Sequence, residues 1–236
     1  DDMGLGKTVQ TIVLMLHEQE KGIDRPSLVV APTSVIFNWE RELEKFAPSL
    51  KVLRHTGIDR QRDAEEFEGH HCILTSYGIL RRDIDFLRNF EFHYVILDES
   101  QNIKNPSSQT AKAARVLDAA FKVVLTGTPI ENRTVELWSQ MSFLNPGFLG
   151  GQRYFQKCFA NPIENRNDEE TAELLQRLVY PYILRRTKEE VESDLPPKTE
   201  MLHFANMSEE QADLYNHWRD FYRSTILDSL EDGTLQ

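Results

Sequence analysis

The chain opens on residues whose types and spacing suit the binding of a phosphate group. Residues 1–8 read Asp-Asp-Met-Gly-Leu-Gly-Lys-Thr, and a helix-forming run follows directly. Backbone N–H groups of a glycine-rich turn at a helix N-terminus solvate phosphate oxygens. Lys7 is expected to bridge the β- and γ-phosphates of a nucleotide, and the Thr8 hydroxyl to ligate Mg²⁺. The residues predicted to hold the nucleotide are Gly4, Leu5, Gly6, Lys7, Thr8 and Val9.

Two neighbouring acidic residues end an apolar run farther along the chain. Residues 95–97 read Val-Ile-Leu, and Asp98 and Glu99 come next. Ligands of open α/β sheets bind at the carboxyl ends of the strands, so both carboxylates are expected near the phosphate loop. Asp98 is predicted to hold Mg²⁺, usually through water, and Glu99 to polarise an attacking water molecule. A strand that ends in Asp-Glu is common, and it indicates catalysis only together with the phosphate loop.

Small hydroxyl residues end a third apolar run. Residues 124–128 read Val-Leu-Thr-Gly-Thr, followed by Pro-Ile-Glu-Asn. Thr126, Gly127 and Thr128 are predicted to contact the acidic pair and to transmit the state of the nucleotide. The alternative is an ordinary strand-to-helix turn that uses glycine and proline.

Short β-branched runs alternate with helical patterns and are expected to position these residues. Strands are predicted at residues 28–31, 52–54, 72–77, 94–98 and 122–126. Several of them are apolar throughout, as expected for strands that are covered on both faces. Alternating strands and helices imply right-handed crossovers, so residues 1–146 are predicted to form an α/β domain with a mostly parallel sheet.

The helices between these strands have readable ends. One is predicted over residues 8–20 with Gly22 just beyond it, and another begins after Thr33 and Ser34. The Ala-rich residues 107–120 are predicted as a helix, and Thr134 as the N-cap of the next.

Residues 147–236 are predicted to be mainly helical, with one short strand at residues 200–204. Ser208 and Gln211 match a capping box, and an apolar stripe of Leu214, Trp218 and Phe221 follows. The stripe is interpreted as a packing surface.

Composition limits the possible classes of protein. No apolar run approaches the ~18–20 residues of a membrane span. The two cysteines have no CxxC partner, which favours a reducing, intracellular compartment, either cytoplasm and nucleoid or nucleus. The net charge is −11, so any surface that binds nucleic acid has to be local. Because a phosphate loop normally follows a strand, the chain is expected to be part of a longer protein.

In this order the three motifs resemble the first RecA-like domain of superfamily two helicase-like ATPases, specifically the Swi/Snf family of DNA translocases and chromatin remodellers. The matching segments are residues 1–11, 30–39, 74–77, 98–105 and 125–138, with residues 184–188 and 195–198 resembling the family's downstream segment. The resemblance covers essentially the whole chain. It implies a RecA-like P-loop fold for residues 1–146 and a mainly helical insertion or extension for residues 147–236.

The resemblance also implies ATP- and Mg²⁺-dependent movement along double-stranded DNA, with contacts to phosphates rather than bases. The implied DNA contacts are Thr33, Ser34, Asn38, Thr75, Ser76, Tyr77, Arg81 and Lys104. Gln101 joins Thr126, Gly127 and Thr128 as an implied coupling residue. A second RecA-like lobe of the same chain is expected to supply arginine fingers, so residues 1–236 alone should hydrolyse ATP weakly. A further DNA-bound protein is a possible target.

Two departures and three questions stay open at this point. Asp1 replaces the first glycine of the strict phosphate-loop pattern, but beside the other two motifs it resembles a trait of the family. Ser100-Gln101 stands where many relatives have Ala-His or Gly-His. Arg185 and Arg186 either anchor the helical region, the favoured interpretation, or contact DNA. One alternative function is another superfamily two motor, of restriction or repair type. The other is a nucleotide-gated binding module with little hydrolysis, against which Glu99 argues.

Overall fold

The computed structural model describes residues 1–60, 62–127, 133–191 and 201–231. Thr128 and residues 195–198 lie outside the described residues. The chain forms two compact units, Asp1–Ser193 and Asp194–Gln236. Within the described ranges, no helix has both the length and the apolar character needed to cross a membrane.

A five-stranded parallel sheet forms the centre of the first unit, in the order β2-β3-β1-β4-β5. Its strands are β1 (Ser27–Ala31), β2 (Val52–Arg54), β3 (Cys72–Ser76), β4 (Glu91–Leu97) and β5 (Asp118–Val124). Every residue of β1 and β3 is buried, as are six of the seven in β4. Such strands are apolar on both faces because helices cover both. The predicted α/β fold with a parallel sheet is confirmed.

Helices pack on each face of this sheet. The helices and turns that precede β5 in the chain are α1 (Lys7–Glu20), α2 (Thr33–Phe46), α3 (Ala64–Phe67), α4 (Tyr77–Arg82), α5 (Ile84–Leu87), a 3-10 turn (Ser100–Ile103) and α6 (Gln109–Arg115). Ile12 of α1 and Trp39 of α2 pack in one core cluster, and Leu80 of α4 and Leu87 of α5 in another. Neighbouring residues of β1 and β4 alternate between the two clusters, so the clusters lie on opposite faces of the sheet.

A helical layer follows the sheet in the same compact unit. It comprises α7 (Thr134–Leu144), α8 (Gln152–Phe155), a π-helical turn (Gln156–Ala160), α9 (Asn161–Arg166), α10 (Glu169–Val179), a 3-10 turn (Tyr180–Tyr182) and α11 (Lys188–Val191). Trp138, Phe155 and Leu175 share a third core cluster. The first compact unit therefore runs past residue 146 to Ser193, and the functional boundary at residue 146 stays a prediction.

Three sequence predictions are wrong in detail. The helix predicted over residues 107–120 ends at Arg115, because Ala119 pairs with Phe92 of β4 and sheet pairing outweighs the helix propensity of alanine. Thr134 is the first residue of α7 rather than its cap, and its N–H donates to Glu164 Oε1 at 2.7 Å. Residues 201–204 are not a strand.

The second unit contains α12 (Glu209–Glu231). Both bonds of the predicted capping box are present: the Gln211 N–H donates to Ser208 Oγ at 3.3 Å, and the Ser208 N–H to Gln211 Oε1 at 3.2 Å. Leu214, Trp218 and Phe221 are exposed in the described chain, and their role as a packing surface stays a prediction.

A buried carboxylate ties the loop after β2 to the helices after β3. Asp83, between α4 and α5, accepts hydrogen bonds from His55 Nε2 at 3.1 Å and Arg60 Nη2 at 2.8 Å, and lies 2.7 Å from Arg62 Nη2. Burial raises the pKa of Asp83, but the bonds from Arg60 and His55 and the charges of Arg60 and Arg62 outweigh it. The pKa of this carboxyl group therefore lies below its ordinary value.

Replacing Asp83 with asparagine is expected to lower the free energy of unfolding at pH 7 by about 3 kcal/mol, because cations lose a buried partner. Since the folded-state pKa is depressed, this stabilisation is present above the ordinary aspartate pKa of about 3.9 and is lost as the pH falls below it. Urea unfolding of both proteins at pH 7 and pH 3 measures the difference, which should narrow at pH 3. Asp85→Asn, at an exposed position, is the control. An equal difference in the free energy of unfolding between the two proteins at both pH values would contradict the prediction.

Candidate functional site

The carboxyl ends of four strands lie in one row at one edge of the sheet. Ala31 of β1 pairs with Ser76 of β3, the Asp98 N–H donates to the Val30 carbonyl at 2.9 Å, and the Leu125 N–H donates to the Leu97 carbonyl at 2.8 Å. The segments that follow these strands therefore leave the sheet side by side. They are the starts of α2 and α4, the acidic pair, and the segment that begins with Thr126.

The phosphate loop turns through two glycines into α1. Gly4 has φ +88° and Gly6, the N-cap of α1, has φ +71°, which is backbone that favours glycine. Lys7 Nζ donates to the carbonyls of Asp1 and Asp2 at 2.9 and 3.0 Å. No acidic side chain stands in the first turn of α1, where Thr8 and Val9 lie half-buried. A helix N-terminus with uncapped amides and a lysine suits an anion.

Arg186 fastens the segment after α10 to this loop. Its backbone N–H and Nε donate to Asp1 Oδ1 at 2.9 and 3.2 Å, and its Nη2 donates to Gln10 Oε1 at 2.7 Å. The Asp2 N–H donates to the Arg186 carbonyl at 3.1 Å. This is the anchoring geometry that the sequence favoured for Arg186. Arg185 instead lines a cavity of about 440 Å³ beside Lys7 and Gln10, between α1, β5 and α7.

Asp98 is held at both its side chain and its main chain. The Trp39 indole N–H donates to Asp98 Oδ2 at 2.8 Å, and the Glu99 N–H donates to Oδ1 at 2.9 Å. The Tyr77 hydroxyl donates to the Asp98 carbonyl at 2.7 Å. Burial raises the pKa of Asp98, while the bonds from Trp39 and Glu99 and the charge of Lys7 act in the opposite direction. The carboxylate is therefore fixed in direction and lies within electrostatic reach of Lys7.

Glu99 adopts left-handed backbone, with φ +49° and ψ +58°, which costs a residue with a Cβ about 1 kcal/mol. Its neighbours hold it there. The Ser100 N–H donates to the Leu125 carbonyl at 3.1 Å, and Asn102 Nδ2 donates to the Glu99 carbonyl at 2.8 Å. Gln101 Nε2 donates to Glu99 Oε2 at 3.0 Å. The Ser-Gln variant of the motif thus places an amide donor directly on the predicted base.

Gly127 packs against the phosphate loop. A Cβ added at Gly127 would lie 3.1 Å from Met3 Cγ and within 4.0 Å of the Asp1 carbonyl oxygen. The segment after β5 therefore touches the loop that holds Lys7, and its Leu125 carbonyl accepts a bond from the acidic motif. A movement of the phosphate loop would therefore alter the packing of Gly127. The coupling roles of Gln101, Thr126 and Gly127 stay predictions.

Polar side chains line the same edge of the sheet at the starts of α2 and α4. Thr33, Ser34 and Asn38 are exposed on α2, and Arg81 is exposed on α4. Ser76 Oγ accepts the Ile79 N–H at 3.3 Å and caps α4. Lys104 is half-buried just after the 3-10 turn.

Two residues of the predicted DNA set are used inside the protein instead. Thr75 is fully buried, and its hydroxyl donates to the His55 carbonyl at 2.9 Å. Tyr77 is 7% exposed, and its hydroxyl is taken by the Asp98 carbonyl. Neither side chain offers a polar atom to a phosphate at the surface, so their assignment as DNA contacts needs correction.

Sequence reasoning missed the partners of Trp39 and Asp83. Trp39 is recognisable as a core residue of α2 from its helical spacing, but nothing in the sequence shows that its N–H faces Asp98, 59 positions away. Asp83 and Arg60 carry no motif signal.

Comparison with known proteins agrees with this geometry. A family model described as the SNF2-related domain matches residues 1–235. The chain belongs to the SNF2-related family. A putative ATP-dependent helicase/translocase, YwqA of Bacillus subtilis (strain 168), is 45% identical over 91% of this chain and 24% of its own length. The TATA-binding protein-associated factor MOT1 of Saccharomyces cerevisiae is 35% identical over 100% of this chain and 14% of its own.

A solved SNF2-family structure supports the fold as well. The Sulfolobus solfataricus SWI2/SNF2 ATPase core in complex with dsDNA matches with a TM-score of 0.76 and 41% identity, covering 98% of this chain and 48% of that one. The chain therefore spans about a quarter or less of these two curated relatives, and about half of the solved core.

Proposed function

We propose that this chain is the ATP-binding lobe of a Swi/Snf-type motor that hydrolyses ATP to move along double-stranded DNA. The observation that carries the proposal is the row of strand ends. It brings the acidic pair, the Gly127 segment that packs on the phosphate loop, the exposed polar start of α2, and α4 with its exposed Arg81 to one edge of the sheet. The Sulfolobus solfataricus SWI2/SNF2 ATPase core, solved in complex with dsDNA, supports the same conclusion.

ATP is proposed to bind with its phosphates on the N-terminus of α1. The amides that follow Gly6 have no side-chain cap, and Lys7 Nζ already donates to two carbonyl oxygens, those of Asp1 and Asp2. Glu99 is the proposed base. Its carboxylate follows β4 directly, and Gln101 fixes one of its oxygens, which leaves the other to orient a water molecule.

The donor set fits Mg²⁺. Each carboxylate oxygen of Asp98 accepts one hydrogen bond and keeps further acceptor capacity. Asp98 offers carboxylate oxygens and Thr8 a hydroxyl oxygen, which suits an ion bound through one or two protein oxygens, water and substrate phosphates. Asp98 and Thr8 would hold it, and the ion would neutralise charge on the phosphates.

The DNA backbone is proposed to lie across the starts of α2 and α4. Thr33, Ser34 and Asn38 are exposed on α2, Arg81 is exposed in the last turn of α4, and the buried Ser76 and half-buried Lys104 stand beside them. Hydroxyl, amide and cationic groups fix a phosphate backbone without reading bases. Because the chain carries a net charge of −11, this contact is proposed to be local to the edge.

The decisive experiment measures ATP hydrolysis by the full-length protein with and without duplex DNA, together with displacement of a third strand from a triplex. Stimulation by duplex and displacement without unwinding are expected. Unwinding of a forked duplex would favour a restriction- or repair-type helicase. ATP binding without hydrolysis under any condition would favour the nucleotide-gated binding module and sink the proposal.

Arg81→Gln is expected to weaken duplex binding equally for unrelated sequences. It should also make the slope of log K against log salt less steep by about one, because one phosphate contact is lost. Fluorescence anisotropy over a salt series measures both quantities. Arg88→Gln, an exposed arginine at the end of α5 that pairs with Asp85, is the matched control. An unchanged salt slope for Arg81→Gln would remove Arg81 from the DNA edge.

A further inference from the structure

Asp98 accepts hydrogen bonds from side chains on both faces of the sheet. Trp39, whose indole N–H bonds to the Asp98 carboxylate at 2.8 Å, belongs to the core cluster on one face. Tyr77, whose hydroxyl bonds to the Asp98 carbonyl at 2.7 Å, belongs to the cluster on the other. Trp39 is 0% exposed and Tyr77 7%, so each ring moves only with the element that carries it.

Both of these elements begin at the proposed DNA edge. Trp39 lies on α2, which starts at Thr33 and Ser34 immediately after β1. Tyr77 is the first residue of α4, which Ser76 caps. A short rigid path therefore leads from each polar helix start to Asp98. Glu99, the residue that follows Asp98 in the chain, has strained left-handed backbone.

We propose that Trp39 and Tyr77 are positioning residues through which contact of a nucleic-acid backbone with the starts of α2 and α4 sets the orientation of Asp98 and Glu99. This inference rests on the proposed function and deepens it. A backbone that docks on both helix starts moves or stiffens two elements that hold Asp98 by one hydrogen bond each. By thermodynamic reciprocity, occupation of the nucleotide site acts back on the same two helix starts.

The test removes each bond and keeps an aromatic ring at each position. Trp39→Phe replaces the indole and its N–H with a smaller phenyl ring, and Tyr77→Phe deletes one oxygen. The measured quantity is the stimulation ratio of the full-length protein, its ATPase rate at saturating duplex DNA divided by its rate without DNA. We expect this ratio to fall about tenfold in Trp39→Phe, the lower range for a hydrogen bond to a charged group, and about fivefold in Tyr77→Phe, whose bond goes to a neutral carbonyl. The affinity for DNA, measured by anisotropy, should stay within about twofold, since neither side chain reaches the surface.

A second readout does not depend on turnover. Calorimetry gives the dissociation constant of Mg-ADP with and without duplex DNA, and the quotient of the two constants is the coupling between the sites. In both variants this quotient should move towards one. A general loss of stability would lower the ATPase rates with and without DNA, but it would leave the quotient of the two dissociation constants unchanged.

Two control variants match the chemistry. Trp138→Phe removes an indole N–H that donates to the Gly150 carbonyl at 3.1 Å in the helical layer, and Tyr94→Phe removes a hydroxyl from a buried tyrosine of β4. Both should keep the wild-type stimulation ratio.

A stimulation ratio that stays at the wild-type value in both variants, or falls equally in the controls, overturns the inference. If Trp39→Phe does not fold, Tyr77→Phe decides alone, because it deletes a single atom. The proposed function fails by a different result. In that case the wild-type protein itself shows no DNA stimulation.

Discussion

Replacement of Lys7 by alanine is expected to reduce ATP hydrolysis by the full-length protein by at least about a hundredfold, the effect of removing one donor aimed at developing charge. Lys7 Nζ stands at the mouth of the phosphate loop, bonded to the Asp1 and Asp2 carbonyls at 2.9 and 3.0 Å. It is the cation proposed to meet the β- and γ-phosphates. Phosphate release at saturating ATP and duplex DNA measures the loss.

The matched control is Lys112→Ala, which removes an exposed lysine of α6 and should leave hydrolysis at the wild-type rate. Thr11 Oγ1 donates to the Lys7 carbonyl at 2.8 Å, so the first turn of α1 keeps its main-chain bonds in Lys7→Ala. The variant should therefore fold. Hydrolysis within tenfold of wild type would refute the assignment of residues 1–8 as a phosphate loop.

Glu99→Gln is expected to lower kcat by about 10²–10⁴, the usual contribution of a general base. The affinity for ATP should be retained. Glutamine keeps the size of the side chain and an oxygen that can still accept from Gln101, but it cannot take a proton from water. Rapid-quench measurement of a single turnover, with a separate binding titration, distinguishes the two quantities.

Glu91→Gln serves as the control, since Glu91 is an exposed residue at the start of β4 that pairs with Arg25. If Glu99→Gln loses ATP binding along with hydrolysis, Glu99 is a ligand-binding or structural group rather than a base. Undiminished turnover would mean that another residue activates the water.

The sequence predicted the central strands of the sheet well because strands such as β1 and β3 are short and buried on both faces. Residues 28–31, 52–54 and 72–77 were placed within one residue of β1, β2 and β3. It failed at Ala119 and Ala120, where local helix propensity and sheet pairing disagree. Pairing with β4 is a contact between residues 27 positions apart, as in Phe92 and Ala119, and no local pattern reports it.

The candidate site was predictable to the level of segments. Motif order shows that the segments of Lys7, Asp98 and Gly127 come together, because parallel strands share one carboxyl edge. The direction of each side chain at that edge depends on strand parity and packing. Thr75 is buried although Ser76, its neighbour, caps a helix at the edge. The bond between Arg186 and Asp1 joins positions 185 apart and has no sequence signal.

The left-handed backbone of Glu99 has an evolutionary consequence. Glycine or asparagine at that position would relax the main chain and stabilise the fold, yet either would remove the carboxylate. With Glu99 as the proposed base, selection for stability and selection for turnover act in opposite directions on this residue. A lineage of such motors that no longer needed hydrolysis would gain stability by losing this residue, so position 99 should be among the first to drift.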